Sequence, residues 1–527
     1  MKMRRFYSLC LVLTAVLAVF GEVHISIADP ENWSAQDLLP YVGQTVVFDQ
    51  PMVVTSNASS YKYIYQVSPR RIFQPTNQEL PGTAAYRNLM SKNGNGYVSM
   101  SGVSGYHRCG ERVYNLKAKI NSTSSISFIS GTWRGNTRAD LEKGIPDLGD
   151  YRLLVCTMNL EYYLVTDLGN DRGPYNSSEH QKQRTKTIKA LSKINADIYG
   201  LVEIQQGQGA LQEIADDLNA KLPGRRYTII NDGTSANGSY TKSGYIYDAN
   251  KVEPVGKMLE NDEAVKGRKK MLCFKEIETG ETFIFSVNHF KAKSGTASGA
   301  DADQGDGQGI FNATRTREAQ SVVDHYGRYR KSLNENDILV MGDLNAYAKE
   351  DPIRVFVNHD FIDLHRAFHA DSSYSYVFSN TAGYLDHAIC NNSLYPQITG
   401  AAAYTINSDE NDGYTYDKSN DNTMFRSSDH DPVLVGLKLD GTLSYDPSPG
   451  INTSEILSGT ADQLVIRNCY REKGGSYYAI YTINGLRLAL EPVTSANLEV
   501  NLPKQSGVYI CYLYVDNQVI QHKIIVP

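Results

Sequence analysis

The groups in this 527-residue chain that can do chemistry are hard-oxygen and imidazole side chains at the ends of apolar runs. Asn159 follows LLVCTM, Glu203 follows YGLV, and His289 follows FSVN. Asp343 and Asn345 follow ILVMG, Asp386 follows YL, and Asp429 and His430 come just before PVLVGL. Carboxylate and amide oxygens suit Mg²⁺, Mn²⁺ or Ca²⁺. No C-x-x-C pair occurs, which argues against zinc. Two histidines beside a hard cation make a site for hydrolysing phosphate esters. The ion neutralises the phosphate, one side chain activates water, and another protonates the leaving oxygen. Taken singly, each residue is an ordinary turn or cap residue. Their shared position at strand ends points to one crevice of an open sheet.

The elements that must hold these groups alternate in type over 151–440. YRLLVCTMNL and ADIYGLVEI read as buried strands, and EHQKQRTKTIKALSKI between them has helical spacing at Ile188, Leu191 and Ile194. ALQEIADDLNAKL is a second amphipathic helix, followed by RYTIIND and SGYIYDANKV as strands. Then come ETFIFSVNHF, a helix around TREAQSVVDHY, DILVMGD, YLDHAIC and DPVLVGLKL. Strands alternating with helices predict a layered α/β domain. Before it, 29–150 alternates short β-prone pieces with Gly, Asn and Ser turns, as a small barrel or sandwich does. After it, 441–461 reads as a linker and 462–527 as a β-sandwich of short strands. The net charge of −6 supplies no global field for a polyanion, so contact with nucleic acid must come from local basic patches.

The ordered set TMNL, LVEI, NHF, GDLNA, YLDHAI and SDHDPV resembles the endonuclease/exonuclease/phosphatase superfamily, the fold of deoxyribonuclease I. The resemblance implies a four-layer α/β sandwich over most of 151–439. It also implies that Glu203 is the principal metal carboxylate, with Asn159 and Asp429 close to the ion or its waters. His430 resembles a general base oriented by Asp386, and Asp343 a residue that positions water or protonates the leaving group. Asn345 would hold a phosphate oxygen, and His289 matches a second catalytic histidine. Which histidine is base and which acid stays open. Mg²⁺ or Mn²⁺ is the expected ion, with Ca²⁺ a further candidate.

A narrower resemblance, carried by FKAKSGTASGADADQGDGQGIFNATRTREAQ and YSYVFSNTAGYLDHAIC, is to large bacterial secreted nucleases. There Arg268 lies at an active-site arginine position, although Lys269 and Lys270 follow it where those enzymes have prolines. Ile310 stands where they often carry cysteine, so their loop disulfide is not expected. Asp301, Asp303 and Asp306 form a Gly-rich loop open to two readings, a Ca²⁺ site or plain loop. Lys291, Lys293, Arg315 and Arg317 bracket it as candidate contacts to a phosphodiester backbone.

Lys2, Arg4 and Arg5 before the apolar run Leu9–Phe20 predict an export signal over 1–28, cut after Ala28. The six cysteines outside that run permit disulfides, and Cys469 and Cys511 share the last region. The 29–150 region has two candidate roles. As an OB-like barrel it would use YKYIY and PRRIF, with Arg70 and Arg71, to hold single strands; otherwise it is a structural cap. IYTINGLRLA and GVYICYLYVDNQVIQHKIIVP resemble sorting domains of type IX secretion cargo, which implies secretion machinery as a partner and a secreted or surface location. The function expected is a sequence-nonspecific endonuclease acting on extracellular DNA, and on RNA as a second substrate. The alternatives are a sphingomyelinase- or inositol-phosphate-phosphatase-like enzyme, and a surface binding protein with an idle catalytic fold.

Overall fold

The computed structural model describes residues 22–56, 64–235, 241–260 and 267–440, with strand segments between 455 and 526. The chain divides into two compact units, Met1–Asn391 with Ile398–Leu439, and Asn392–Gln397 with Asp440–Pro527.

The first unit holds two six-stranded sheets. One runs in the order Tyr227–Ile229, Thr241–Asp248, Ile198–Gln205, Leu153–Tyr163, Val433–Leu437, Ile398–Ala403. The other runs Val252–Glu260, Lys269–Glu276, Thr282–His289, Ile338–Asp343, Asp386–Asn391, Phe361–Asp363. Alternation in Leu153–Tyr163 puts Leu154, Cys156, Met158 and Leu160 in one cluster with Ile188, Leu191 and Ile194 of helix Ser177–Ile194. Burying each such side chain is worth roughly 1.5–3 kcal/mol. Helix Asn312–Leu333 covers the second sheet in the same way, through Ala319, Val322 and Tyr326 against Ile284 and Val340. The inner faces meet closely: a Cβ on Gly200 would lie 2.8 Å from Phe285, and the Tyr245 hydroxyl is 2.8 Å from the carbonyls of Lys270 and Phe285. The result is a mixed α/β sandwich of helix, sheet, sheet and helix layers.

Strand Lys269–Glu276 is not among the expected strands, and Lys269 and Lys270 open it with two charges. Lys270 is nonetheless fully buried, and with Lys242 it pairs to the carboxylate of Asp232. Buried ions need partners of this kind.

Residues 22–134 supply a separate seven-stranded sheet. Arg112–Ser122 pairs with both Met52–Val54 and Ser125–Arg134, so five strands close a ring together with Ile64–Ser68 and Val98–Ser101. Two expectations for this region meet contrary observations. Val23–Ile25 pairs in parallel with Thr45–Phe48, and Ile25 and Ile27 are buried in the barrel core, although both precede the expected cut. Arg70 and Arg71 do not line a groove. Arg70 bonds Asn93 from a buried position, and Arg71 pairs with Asp409 with 14% of its side chain exposed. Tyr61 and Tyr63 lie outside the described residues.

In the second unit, Glu455–Ser458, Gln463–Arg467 and Asn497–Asn501 form one sheet. Arg487–Pro492, Tyr477–Thr482, Gly507–Val515 and Gln518–Val526 form another. Its first strand falls inside the stretch expected as linker. Cys109, Cys156, Cys273, Cys390 and Cys511 are buried free thiols, and Cys469 lies outside the described residues. No helix among the described residues is long and apolar enough to cross a membrane.

Candidate active site

The sheets bring the polar strand ends to one place. His289 and Asp343 end neighbouring parallel strands as partners, and Asp343 is in turn the antiparallel partner of Asp386. Gly342 makes that register possible. It has φ +124°, and a Cβ there would lie 2.0 Å from the carbonyl oxygen of Asn288.

His430 Nδ1 is 2.7 Å from Asp386 Oδ2, so that nitrogen carries the proton and donates. Ser375 donates to the same oxygen at 2.7 Å. His430 Nε2 then faces Asp343, whose Oδ2 is 4.0 Å away. Asn159 and Asn345 each donate to Asp343 Oδ2 at 3.2 Å. The second histidine, His289, has Nε2 3.5 Å from Glu203 and 3.7 Å from Asp343. Arg268 donates to the carbonyl of Phe290 at 2.8 Å, while its buried Nε has no hydrogen-bond partner.

Regular alternation would turn Glu203 outward, since Tyr199 and Leu201 of its strand pack in the helix-side core. A left-handed backbone at Glu203 (φ 58°) breaks the alternation and turns the carboxylate into the site, where Tyr162 N–H donates to it at 3.2 Å. Glu161 (φ 51°), Tyr162 (φ 58°) and Asn345 (φ 48°) share this conformation. It is costly for residues with a Cβ and tends to gather where side chains must be aimed.

Glu161 is a residue that sequence reasoning missed. It is two positions after Asn159, but its left-handed backbone (φ 51°) breaks strand alternation, so local pattern carries no clear signal for it. Its Oε2 is buried without a hydrogen-bond partner. Burial, then the charges of Asp429 and Glu203, raises its pKa. Burial, then Asp429 and Asp343, pushes Glu203 up to about 7. Asp343 is raised, chiefly by burial. Burial, Arg268 and His430 hold His289 well below the usual histidine range. Against the cost of burial, Asp386, Asp429 and Asp343 hold His430 well above it.

Among the described residues, the one compact group of metal-type ligands is Asp343, Asp386 and His430, whose ligand atoms lie within 4.8 Å of one another. His430 and Asp386 already satisfy each other, so that group reads better as acid–base machinery. The orphaned oxygen of Glu161 and its mutual repulsion with Glu203 and Asp429 make the other end of the site the better fit for a hard cation.

Several expected contacts lie elsewhere. Arg315 is fully buried and donates to the carbonyls of Lys291, Ile310 and Gln308, so it holds its loop and not a substrate. Lys293 bonds Glu350 and the carbonyl of Gln308. Asp301 caps helix Asn312–Leu333 by accepting from Thr314, and Arg317 stands by it at 3.5 Å. Asp303 and Asp306 accept from the N–H groups of Gly305 and Gln308, so the acidic loop is tied by its own turns. Lys291 remains near the site, its ammonium 4.4 Å from the Phe311 ring centroid.

A family model described as the Endonuclease/Exonuclease/phosphatase family matches residues 169–430, a span that contains every candidate site residue except Asn159 and Glu161. The fold is similar to an endonuclease/exonuclease/phosphatase from Bacteroides vulgatus, 15% identical over 55% of this chain and 99% of that one, with a TM-score of 0.38. It is similar to an endonuclease/exonuclease/phosphatase family protein of Bacteroides thetaiotaomicron, at 19% identity over 56% and 99%, with a TM-score of 0.39. The human Nocturnin catalytic domain with bound sulfate is 13% identical over 55% and 94%, with a TM-score of 0.37. No curated protein sequence matches the chain.

Proposed function

Because the chain belongs, through residues 169–430, to the endonuclease/exonuclease/phosphatase family, we propose that it is a divalent-metal-dependent phosphodiesterase, and specifically a sequence-nonspecific endonuclease of extracellular DNA that also accepts RNA. The observation that carries the phosphodiesterase reading is the convergence of the Asp386–His430 pair, Asp343, His289 and the Glu161–Glu203–Asp429 carboxylates in one crevice.

Glu203, Asn159 and Asp429, with Glu161, would hold Mg²⁺ or Mn²⁺. When bound, the ion supplies charge neutralisation at a phosphate oxygen. Asp386 fixes the His430 tautomer, leaving Nε2 to meet a proton or a phosphate oxygen. Asp343, held by two asparagine amides, is placed to orient water beside that nitrogen. His289, kept neutral, is free to accept or pass a proton on the Glu203 side. Arg268, with its unpartnered Nε, would meet a phosphate oxygen, with Asn345 beside it.

The nucleic-acid reading is supported by a basic fringe. Arg172 lies 5.2 Å from the Tyr162 ring, and Lys291 stands over Phe311. A cation beside an aromatic face suits a sugar-phosphate chain and its bases without reading sequence. Export is supported by the charged and apolar N-terminus, and a type IX route by the C-terminal segments quoted above. The buried Ile25 and Ile27 favour a cut before Val23 over one after Ala28. The five-strand ring supports an OB-like reading of the N-terminal barrel.

Nicking of supercoiled plasmid tests the endonuclease reading, with Mg²⁺, Mn²⁺, Ca²⁺ or chelator and with His430→Ala alongside. Metal-dependent open circles, absent in the variant, are expected. A folded protein that cleaves no plasmid or RNA but releases phosphate from inositol phosphates or phosphocholine from sphingomyelin would replace that reading with a small-substrate phosphoesterase.

A further inference from the structure

The N-terminal barrel reaches the catalytic pair through two routes that meet at one arginine. Arg71 Nη2 donates to Asp409 Oδ1 at 2.6 Å, and its guanidinium carbon sits 4.3 Å from the Tyr374 ring centroid. Tyr374 itself donates to Asp409 at 2.6 Å. Asp409 also accepts from Asn136 at 2.7 Å, and its carbonyl from Cys109 N–H at 3.0 Å, both from the barrel side. Its neighbour Glu410 is fully buried and pairs with Arg108 and Arg138, while Tyr106 donates to it at 2.8 Å.

From this clamp the first route runs back along the chain. Asn407 donates to the carbonyl of His430 at 2.7 Å, and the N–H groups of Asn407 and Ser408 bond Asp431 at 2.7 and 2.9 Å. The second route starts at Tyr374, whose neighbour Ser375 donates to Asp386 Oδ2 and accepts from Asp431 N–H at 2.9 Å. Just beyond Ser375, strands Tyr376–Phe378 and Thr381–Gly383 pair as a hairpin that is zipped to the barrel by Ala382, whose N–H donates to Ile72 O and whose carbonyl accepts from Gln74 N–H at 2.8 Å each. Gly110 gives the clamp room. It has φ +84°, and a Cβ there would come within 2.8 Å of Arg71 Nη1 and 2.6 Å of Asn136 Nδ2.

We infer that the barrel is a working part of the active site, and that Arg71 is a positioning residue that fixes the Asp386–His430 pair by holding Asp409 and Tyr374 together. The inference rests on the phosphodiesterase reading only for what the pair does; the geometry of the clamp is independent of it. Binding of single strands by the barrel is not required, since the arginines that would have lined such a groove face inward.

The test uses the full chain with Arg71→Met and Arg71→Lys, assayed on bis(p-nitrophenyl) phosphate with Mn²⁺. A second readout is the low-field proton of His430 Nδ1–H, assigned by its loss in His430→Gln. A positioning partner is worth about 10–100-fold in activity, so Arg71→Met should lose at least about tenfold in kcat with little change in KM. Arg71→Lys should recover part of it, and the low-field signal should broaden or shift in the Met variant. If Arg71→Met does not fold, Tyr374→Phe removes one hydroxyl bond to Asp409 and carries the same two readouts. An unchanged kcat per folded molecule with an unchanged low-field signal overturns the inference. A wild type that cleaves no phosphodiester defeats the functional reading instead, and the low-field proton then decides the clamp alone.

Discussion

Asp386 Oδ2 lies 2.7 Å from His430 Nδ1, and this bond leaves Nε2 turned toward Asp343. It fixes which nitrogen can act on a substrate. His430→Ala should therefore lower kcat by at least about 100-fold, as removal of a general acid–base group does. Asp386→Asn keeps the shape but lets the amide stabilise the wrong tautomer, and should cost about 10–100-fold. Steady-state kinetics on a chromogenic phosphodiester reads both. An Asp386→Asn enzyme as fast as wild type would show that the pair is structural.

The carboxylates at the other end of the crevice make a separate forecast. Glu203→Gln and Glu161→Gln should each weaken Mn²⁺ binding by about tenfold or more, measured by calorimetry on the full chain. Asp343→Asn should weaken it much less. The reverse ranking would move the ion to the Asp343–Asp386–His430 group.

Acid sensitivity follows from His365. Burial pushes its pKa down to about 4 from the ordinary 6.5. Neutral, it is fully used: it stands 2.7 Å from the Ser373 hydroxyl and 3.0 Å from the carbonyl of Asp386. Unfolded, it takes up a proton near pH 6.5; folded, it stays neutral down to about 4. Between those values the unfolded chain binds more protons, so stability is full above pH 6.5 and falls as the pH drops toward 4. The slope from this one group approaches about 1.4 kcal/mol per pH unit. Urea unfolding from pH 7 to 4.5 should show a shallower loss in His365→Gln than in wild type, and equal slopes would place the sensitivity elsewhere.

The N-terminal edge strand sets a test for processing. A cut after Ala28 would remove the Val23–Ile25 strand and strip Ile25 and Ile27 from the barrel core. N-terminal sequencing of exported protein should find a first residue at or before Val23. A chain beginning at Asp29 that is folded and active would show that this strand is dispensable.

Much of the site was legible because strands have a period of two and end where polar residues begin. LLVCTMN, ILVMGD and FSVNH announced Asn159, Asp343 and His289, and the structure brings all three together. Local pattern also fixed the helix that carries Ile188, Leu191 and Ile194 and the β character of both flanks. Element types and the inventory of chemical groups are therefore set locally, since these depend on neighbours a few positions apart. Tertiary structure alone decided how Glu203 is aimed, because a left-handed φ overrides the alternation that sequence pattern assumes. It decided that Lys242 and Lys270 are core residues, since both ammonium groups meet at Asp232, 10 residues from the one and 38 from the other. It also turned Arg71 from a candidate groove cation into a partly buried clamp, for its partner Asp409 stands 338 residues away along the chain. A side chain's role depends on which charge the fold sets beside it, and local sequence carries no record of a partner that remote.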